Sequence, residues 1–167
     1  EVTHVEGSVD PIRYAETVET ELMLADLESV EKRLENAQKR AKIGDKEGKA
    51  LADLLGPVVE ALREGKPART VLPTLTADQK PLFRQLQLMT GKPVLYACNV
   101  EEASAATGNA WSQKVEEMAK AQGAASVIIS AAIEAEVAQL GSDAEKQEFL
   151  ETLGLQETSL ARVIRAG

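Results

Sequence analysis

Cysteine occurs once, at position 98, and histidine once, at position 4. A single thiol excludes an internal disulfide and a cysteine-based zinc site, and a single imidazole excludes His-cluster metal chemistry. No residue therefore stands out as a metal ligand, and none as a catalytic group. Aromatic residues are 3% of the chain, namely Tyr14, Phe83, Tyr96, Trp111 and Phe149. That is too few for a platform that stacks the bases of single-stranded nucleic acid. No apolar run approaches the ~18 residues of a membrane span. The opening Glu-Val-Thr-His-Val-Glu lacks the basic start and apolar core of a secretory leader. A net charge of −8 excludes a global basic field of the kind that holds DNA. What remains is 167 residues, 44% of them hydrophobic, about one domain with enough apolar side chains for a packed core. These features predict a soluble, cytoplasmic, helix-rich protein with no membrane partner.

The first helical pattern opens at Asp10-Pro11, a good N-cap followed by a proline suited to the first helical position. Apolar residues recur at Val18, Leu22, Ala25, Leu27, Val30, Leu34, Ala37 and Ala41, and from Leu27 the steps alternate three and four, a heptad seam. The pattern runs to about Lys42 and stops at Ile43-Gly44-Asp45. A second pattern carries Leu51, Leu55, Val58 and Leu62 and ends at Gly65-Lys66-Pro67. Two seams joined by a short turn read as an antiparallel helical hairpin. Gly56-Pro57 predicts a kink or break in the second helix.

Beyond Pro67, Thr76 and Gln79 form a capping-box pattern for a helix to about Thr90, with Gly91 as its stop and Pro81 pushing its start later. Lys92–Cys98 and Ala125–Ile129 read as short buried strands. Between them a loop spans 99–108, and Asn109 caps a helix that ends at Gln122-Gly123. Short helices are expected over Ile133–Leu140, from the Ser142/Glu145 capping box to Leu153, and over Ser159–Arg165. Strand, helix, strand is a βαβ unit with a parallel pair and a right-handed crossover. Two strands alone make a poor sheet, so the chain reads as an interior piece whose further strands precede residue 1.

Several motifs yield little. Gly44-Asp45-Lys46-Glu47-Gly48-Lys49-Ala50 looks like a phosphate loop but has three residues between its glycines, no Ser or Thr after the lysine and no preceding strand. It reads as a turn. Cys98 reads as a small core residue, His4 as an exposed loop residue and Trp111 as partly buried. Glu134 and Glu136 are two apart on a helix and point apart, so they do not pair. More informative is Asn99-Val100-Glu101-Glu102. An amide at the carboxyl end of a strand, followed three residues on by an acid, is placed where open α/β sheets bind ligands. It offers a donor and an acceptor to a purine edge. Ser130-Ala131-Ala132 follows the next strand, where backbone N–H groups can meet the same base.

The segments Asp10–Arg13, Glu16–Leu27, Lys92–Glu102, Ala131–Glu136 and Arg162–Gly167 resemble the YchF-type Obg-like ATPases, P-loop proteins of the translation-factor-related class. The resemblance covers essentially the whole chain. It implies a helix-rich α/β fold, part of a Ras-like P-loop NTPase domain with an inserted antiparallel coiled-coil hairpin. Residues 1–15 would end the first half of the nucleotide-binding domain, 16–66 would form the hairpin and 67–167 the second half. The P-loop, the switch segments and the TGS domain of the family are not in this sequence. The resemblance places base recognition at Asn99, Val100 and Glu102, with Ser130, Ala131 and Ala132 on the other side of the base. Ser130 stands where many relatives would have cysteine. The usual guanine-reading loop is Asn-Lys-x-Asp, and in this family the altered motif accompanies a preference for ATP over GTP. A carboxylate moved away from guanine N1–H and the N2 amine no longer selects against adenine. ATP or GTP with Mg²⁺ is the implied cofactor of the intact protein, and ribosome association in translation or stress regulation its implied setting.

Lys39, Arg40, Lys42, Lys46 and Lys49 surround Asp45 and Glu47, so residues 39–49 carry net +3 and the rest of the chain −11. A basic tip on an acidic body suits RNA or a ribosome. Two readings follow: part of a nucleotide hydrolase, or a non-catalytic helical module whose hairpin binds a protein or RNA. A P-loop upstream in the parent protein separates them. By itself this chain is expected to hydrolyse nothing, because phosphoryl transfer needs the phosphate loop and magnesium.

Overall fold

The computed structural model describes residues 10–167, and His4 lies outside them. The chain divides into two compact units, residues 13–93 and residues 94–167 with the start of the first helix.

In the first unit, α1 (Pro11–Lys42) and α2 (Lys46–Arg63) are joined by a tight turn. Asp10 caps α1, its Oδ1 accepting from the Ile12 N–H at 3.1 Å. Asp45 caps α2, with Oδ1 accepting from the Glu47 N–H at 3.0 Å and Oδ2 from the Arg40 Nε at 2.6 Å. Bonds from the Gly48 backbone and the Arg40 guanidinium hold the Asp45 carboxyl below its ordinary range. Further along, Arg63 on α2 bonds Glu31 on α1 at 2.7 Å. The apolar stripe of α2 (Leu54, Leu55, Val58, Val59, Leu62) is buried in one cluster with Val30 of α1. Leu54, Leu55 and Val58 are fully buried, each contributing roughly 1.5–3 kcal/mol.

That cluster has a third component. A 3₁₀ segment (Ala68–Thr74) and α3 (Gln79–Gln85) bring in Ala68, Val71, Phe83 and, just beyond, Leu86 and Leu88. Residues 67–93, which the sequence reading joins to the nucleotide-binding half, pack with the helical pair because they carry the side chains that close its core. α2 is unbroken at Gly56-Pro57, with buried neighbours on both sides of the missing N–H. Two expectations differ. The helix after Thr76 ends at Gln85, not Thr90, although the Thr76 and Gln79 side chains make both bonds of their capping box. Gln87 takes a positive φ of 52°, and the backbone beyond it bonds a side chain of α1 instead of continuing the helix. On α1, Val18 and Ala25 are exposed, whereas Asp26 is buried.

Gly48 marks the closest approach near the turn. A Cβ there would lie 2.5 Å from the Arg40 Cβ and 3.2 Å from the Ala37 carbonyl oxygen. Gly48→Val is therefore expected to destabilise the protein by about 1–3 kcal/mol through overpacking. Urea unfolding of the variant would show it as a lower midpoint at unchanged slope. A midpoint equal to wild type would mean the helices part there freely.

In the second unit, β1 (Leu95–Asn99) and β2 (Ala125–Ile129) pair in parallel, Leu95 opposite Ala125 and Asn99 opposite Ile129. β1 starts three residues later than the sequence suggests, past Pro93, which has no N–H to donate. α4 (Ala110–Gln122) makes the crossover. Asn109 and Ser112 form its capping box, and Gly123 closes it at φ 66°. α5 (Ala131–Val137), α6 (Asp143–Thr152) and α7 (Ser159–Ala166) follow. The core of this unit joins Ala105, Ile133, Val137, Leu150 and Leu155.

Candidate functional site

The carboxyl ends of β1 and β2 place the two singled-out loops side by side. Asn99 is the last residue of β1, and Val100 extends the ladder by donating its N–H to the Ile129 carbonyl at 2.9 Å. The Asn99 side chain crosses to the second loop, where its Oδ1 accepts from the Ala131 N–H at 2.9 Å. That bond also explains why α5 opens at Ala131, two residues before the sequence places it. The first N–H of a helix has no partner within the helix, and here a side chain of the neighbouring loop supplies one. One lone pair of Oδ1 is thus engaged, while the exposed Nδ2 makes no bond to any described residue and is free to donate.

The other residues divide by burial. Glu102, Ala131 and Ala132 are exposed. Val100 and Ser130 are 8% and 1% exposed, so neither offers a side chain to solvent. The Ser130 hydroxyl is buried without a hydrogen-bond partner. Glu102 opens a short 3₁₀ turn (Glu102–Ser104), its carbonyl accepting the Ala105 N–H at 3.1 Å, and its carboxylate makes no bond to a described residue. Its neighbour Glu101 is fixed instead, accepting from the Ser104 hydroxyl and, at 3.0 Å, from Asn109 Nδ2. These bonds, that from Ser104 foremost, hold the Glu101 carboxyl below its ordinary range. The loop therefore holds one tethered acid, Glu101, and one, Glu102, whose carboxylate is not held by a described residue.

Sequence reasoning missed three side chains beneath these loops. Ser159, first residue of α7, accepts the Ser130 N–H at 3.2 Å, and its own N–H donates to Glu134 at 2.5 Å. Arg162, one turn on, donates to the carbonyls of Ala105 at 3.2 Å and Ile128 at 3.4 Å. Thr158 caps α7, its Oγ1 accepting the Ala161 N–H at 3.1 Å, and the helix starts at Ser159 as expected. Cys98 is half-buried, its thiol pushed up by burial and by Glu116. Trp111 is 39% exposed, with the Lys114 ammonium 4.6 Å from its ring centre.

Among the five basic residues of the α1–α2 turn, Lys39 pairs with Glu35 and Arg40 with Asp45 and Glu47. Lys42, Lys46 and Lys49 form no ion pair with a described residue. Ile43, between them, is 84% exposed. Among the described residues no group of three His, Cys, Asp or Glu side chains gathers to hold a metal ion, and no helix is long and apolar enough to cross a membrane.

No family model matches the chain. Individual proteins do. It is 44% identical to the Bacillus subtilis protein named ribosome-binding ATPase YchF over 167 residues, 99% of this chain and 45% of that protein. It is 41% identical to the protein of the same name from Haemophilus ducreyi, with 100% of this chain and 45% of that protein covered. The solved structure described as the Schizosaccharomyces pombe YchF GTPase superposes with a TM-score of 0.82 at 26% identity, over 98% of this chain and 45% of that one. The chain thus spans about 45% of the length of the relatives it matches. Over its whole length the chain is therefore similar, in sequence and in fold, to a stretch that makes up about 45% of these YchF proteins.

Proposed function

We propose that the protein carrying this chain is a ribosome-associated nucleotide hydrolase, and that residues 95–132 are the part of it that reads the base. The observation that supports this is the Asn99–Ala131 bond, which ties together two loops at the carboxyl ends of adjacent parallel strands. Such strand ends are where α/β folds bind ligands. Nδ2 of Asn99 is free to donate to purine N7, and the second lone pair of Oδ1 can accept from the N6 amine of adenine. Glu102 sits where a guanine-reading loop has aspartate. With one more methylene its carboxylate is displaced from guanine N1–H and N2, and this favours ATP over GTP.

The relatives' names support hydrolysis and ribosome binding for the intact protein. When bound, Mg²⁺ and the phosphate-binding loop would supply the charge neutralisation of phosphoryl transfer. Under this proposal the chain binds and orients the base and by itself does not hydrolyse ATP. In this reading, 1–15 and 67–167 belong to the nucleotide-binding domain and 16–66 is an inserted coiled-coil hairpin. Residues 67–93 then lie in the nucleotide half by lineage and cover the hairpin by packing. Lys42, Lys46 and Lys49 face ribosomal RNA, with Lys39 and Arg40 neutralised by their own neighbours. The intact protein works in the cytoplasm.

The test is base selection in the intact protein. Glu102→Asp is expected to raise GTP affinity relative to ATP about 3- to 10-fold, the size of one well-placed hydrogen bond. Adding Val100→Lys completes the guanine-reading pattern, but it replaces a buried side chain and is the second variant to make. Paired titrations with ATP and GTP read the ratio. A ratio unchanged in both variants would show that this loop does not read the base.

A further inference from the structure

The two loops are tied to each other by Asn99, and each is also tied to α7. Ser159 accepts the Ser130 N–H at 3.2 Å, one residue from the Ala131 N–H that Asn99 holds. Glu134 fixes Ser159 in turn, accepting its N–H at 2.5 Å, and Glu134 itself stands one turn into α5, its N–H bonded to the Ser130 carbonyl. The ring Ser130–Ser159–Glu134 therefore closes on the second loop. One turn further along α7, Arg162 reaches the Ala105 carbonyl, at the end of the first loop's 3₁₀ turn, and the Ile128 carbonyl, two residues before the second loop. Ser159 and Arg162 are three apart on one helix, so they share a face. Both are half-buried, where an unmade bond is not simply replaced by water.

We infer that Ser159 and Arg162 are positioning residues for base binding: α7 acts as a strut that fixes the spacing of the loops at 99–105 and 128–132. This inference rests on the base-reading role proposed above. A base held between two loops needs them at a fixed separation, and a loose loop loses affinity even when every contacting atom is present. Both spend their hydrogen bonds on backbone groups of the loops. They act through Asn99 and the backbone at Ser130–Ala132.

The experiment uses the intact protein and two probes, ATP and inorganic tripolyphosphate, which has no base. Ser159→Ala removes one hydroxyl and is expected to weaken ATP binding about 3- to 10-fold, leaving tripolyphosphate affinity unchanged. Ser159→Thr keeps the acceptor and restores ATP binding to within about 2-fold. Arg162→Met is expected to act in the same base-dependent way, with Arg162→Lys intermediate because one donor can still reach one carbonyl. Asn99→Ala is measured alongside. If Asn99→Ala weakens ATP binding and Ser159→Ala and Arg162→Met do not, the strut is wrong and the base-reading stands. If both probes weaken together in the α7 variants, α7 supports the fold at large and the inference fails. If Asn99→Ala itself changes nothing, the base-reading falls, and the strut with it.

Discussion

Asn99→Ala is expected to weaken ATP binding by the intact protein about 10- to 100-fold, through losses at both ends of one side-chain amide. The first is the tether. Without Oδ1 the Ala131 N–H loses its partner, but Ala131 is exposed and water replaces the bond. That part is worth roughly 0.5–1.5 kcal/mol, through loosening of the second loop. The second is the donor, Nδ2, which no described residue occupies and which a purine N7 would accept. Asn99→Asp separates the two. It keeps an acceptor for the Ala131 N–H and removes the donor, placing a carboxylate against N7. If donation to the base dominates, the aspartate variant binds ATP at least as poorly as the alanine variant. If the tether dominates, it binds almost as well as wild type. Both purines present N7, so GTP should weaken along with ATP, unlike in Glu102→Asp, but Asn99→Ala should cost ATP more, because only adenine donates from N6 to Oδ1. Calorimetric titration with each nucleotide gives the answer. Wild-type affinity for both nucleotides in both variants would remove Asn99 from the site.

The places where the sequence was readable are those governed by local chemistry. Asn109 with Ser112 and Gly123 bracket α4, and Ser142 with Glu145 open α6, because capping bonds join residues within four positions of each other. β2 is found over Ala125–Ile129 because an apolar run between a left-handed glycine and a helix start has few alternatives. The loops at 99–102 and 130–132 could be picked out because each directly follows such a strand. Long-range partners are another matter. Nothing near Ser159 announces that its hydroxyl meets the Ser130 N–H, 29 residues away in sequence. The apolar pattern on α1 takes in Ala25, ahead of the heptad seam that starts at Leu27, and passes over Asp26, since a carboxylate has no place in an apolar repeat. The 3₁₀ segment over Ala68–Thr74 escapes periodicity altogether, because a short run containing Pro73 shows no repeat. For the same reason the packing of residues 67–93 on the helical pair was invisible: the apolar residues that close the core are spread over irregular backbone.

Asp26 is where the largest loss of stability is expected. It is 3% exposed on α1 and accepts three bonds from one short segment. Its Oδ1 takes the Met89 N–H at 2.9 Å, and its Oδ2 takes the Thr90 N–H and the Thr90 hydroxyl, each at 2.7 Å. Thr90 passes the connection on, since its Oγ1 accepts the Ala68 N–H at 3.0 Å and its carbonyl accepts the Arg69 N–H at 3.0 Å. Arg69 in turn pairs with Glu19, seven residues before Asp26 on α1. One buried carboxylate thus anchors both the 3₁₀ segment and the run from Gln87 to Thr90 to α1. Asp26→Ala leaves two backbone N–H groups and a hydroxyl without their acceptor, Thr90 being 2% exposed. Each bond to a charged group is worth ~1.5–3 kcal/mol, and the three are not additive because they share one side chain. A net loss of about 3–5 kcal/mol is expected, a large part of the stability of a domain of this size. Asp26→Asn keeps one carbonyl oxygen but turns the other acceptor into a donor facing donors, so it should recover little. Asp26→Leu tests the opposite view, that an apolar residue in the seam would serve as well. The measurement is urea unfolding, with amide exchange at Ala68, Met89 and Thr90 as the local reading. The alanine variant should lose protection at those three amides first. Equal stability of the leucine variant and wild type would mean that the apolar core alone holds residues 67–93 in place and that the Asp26 network is dispensable.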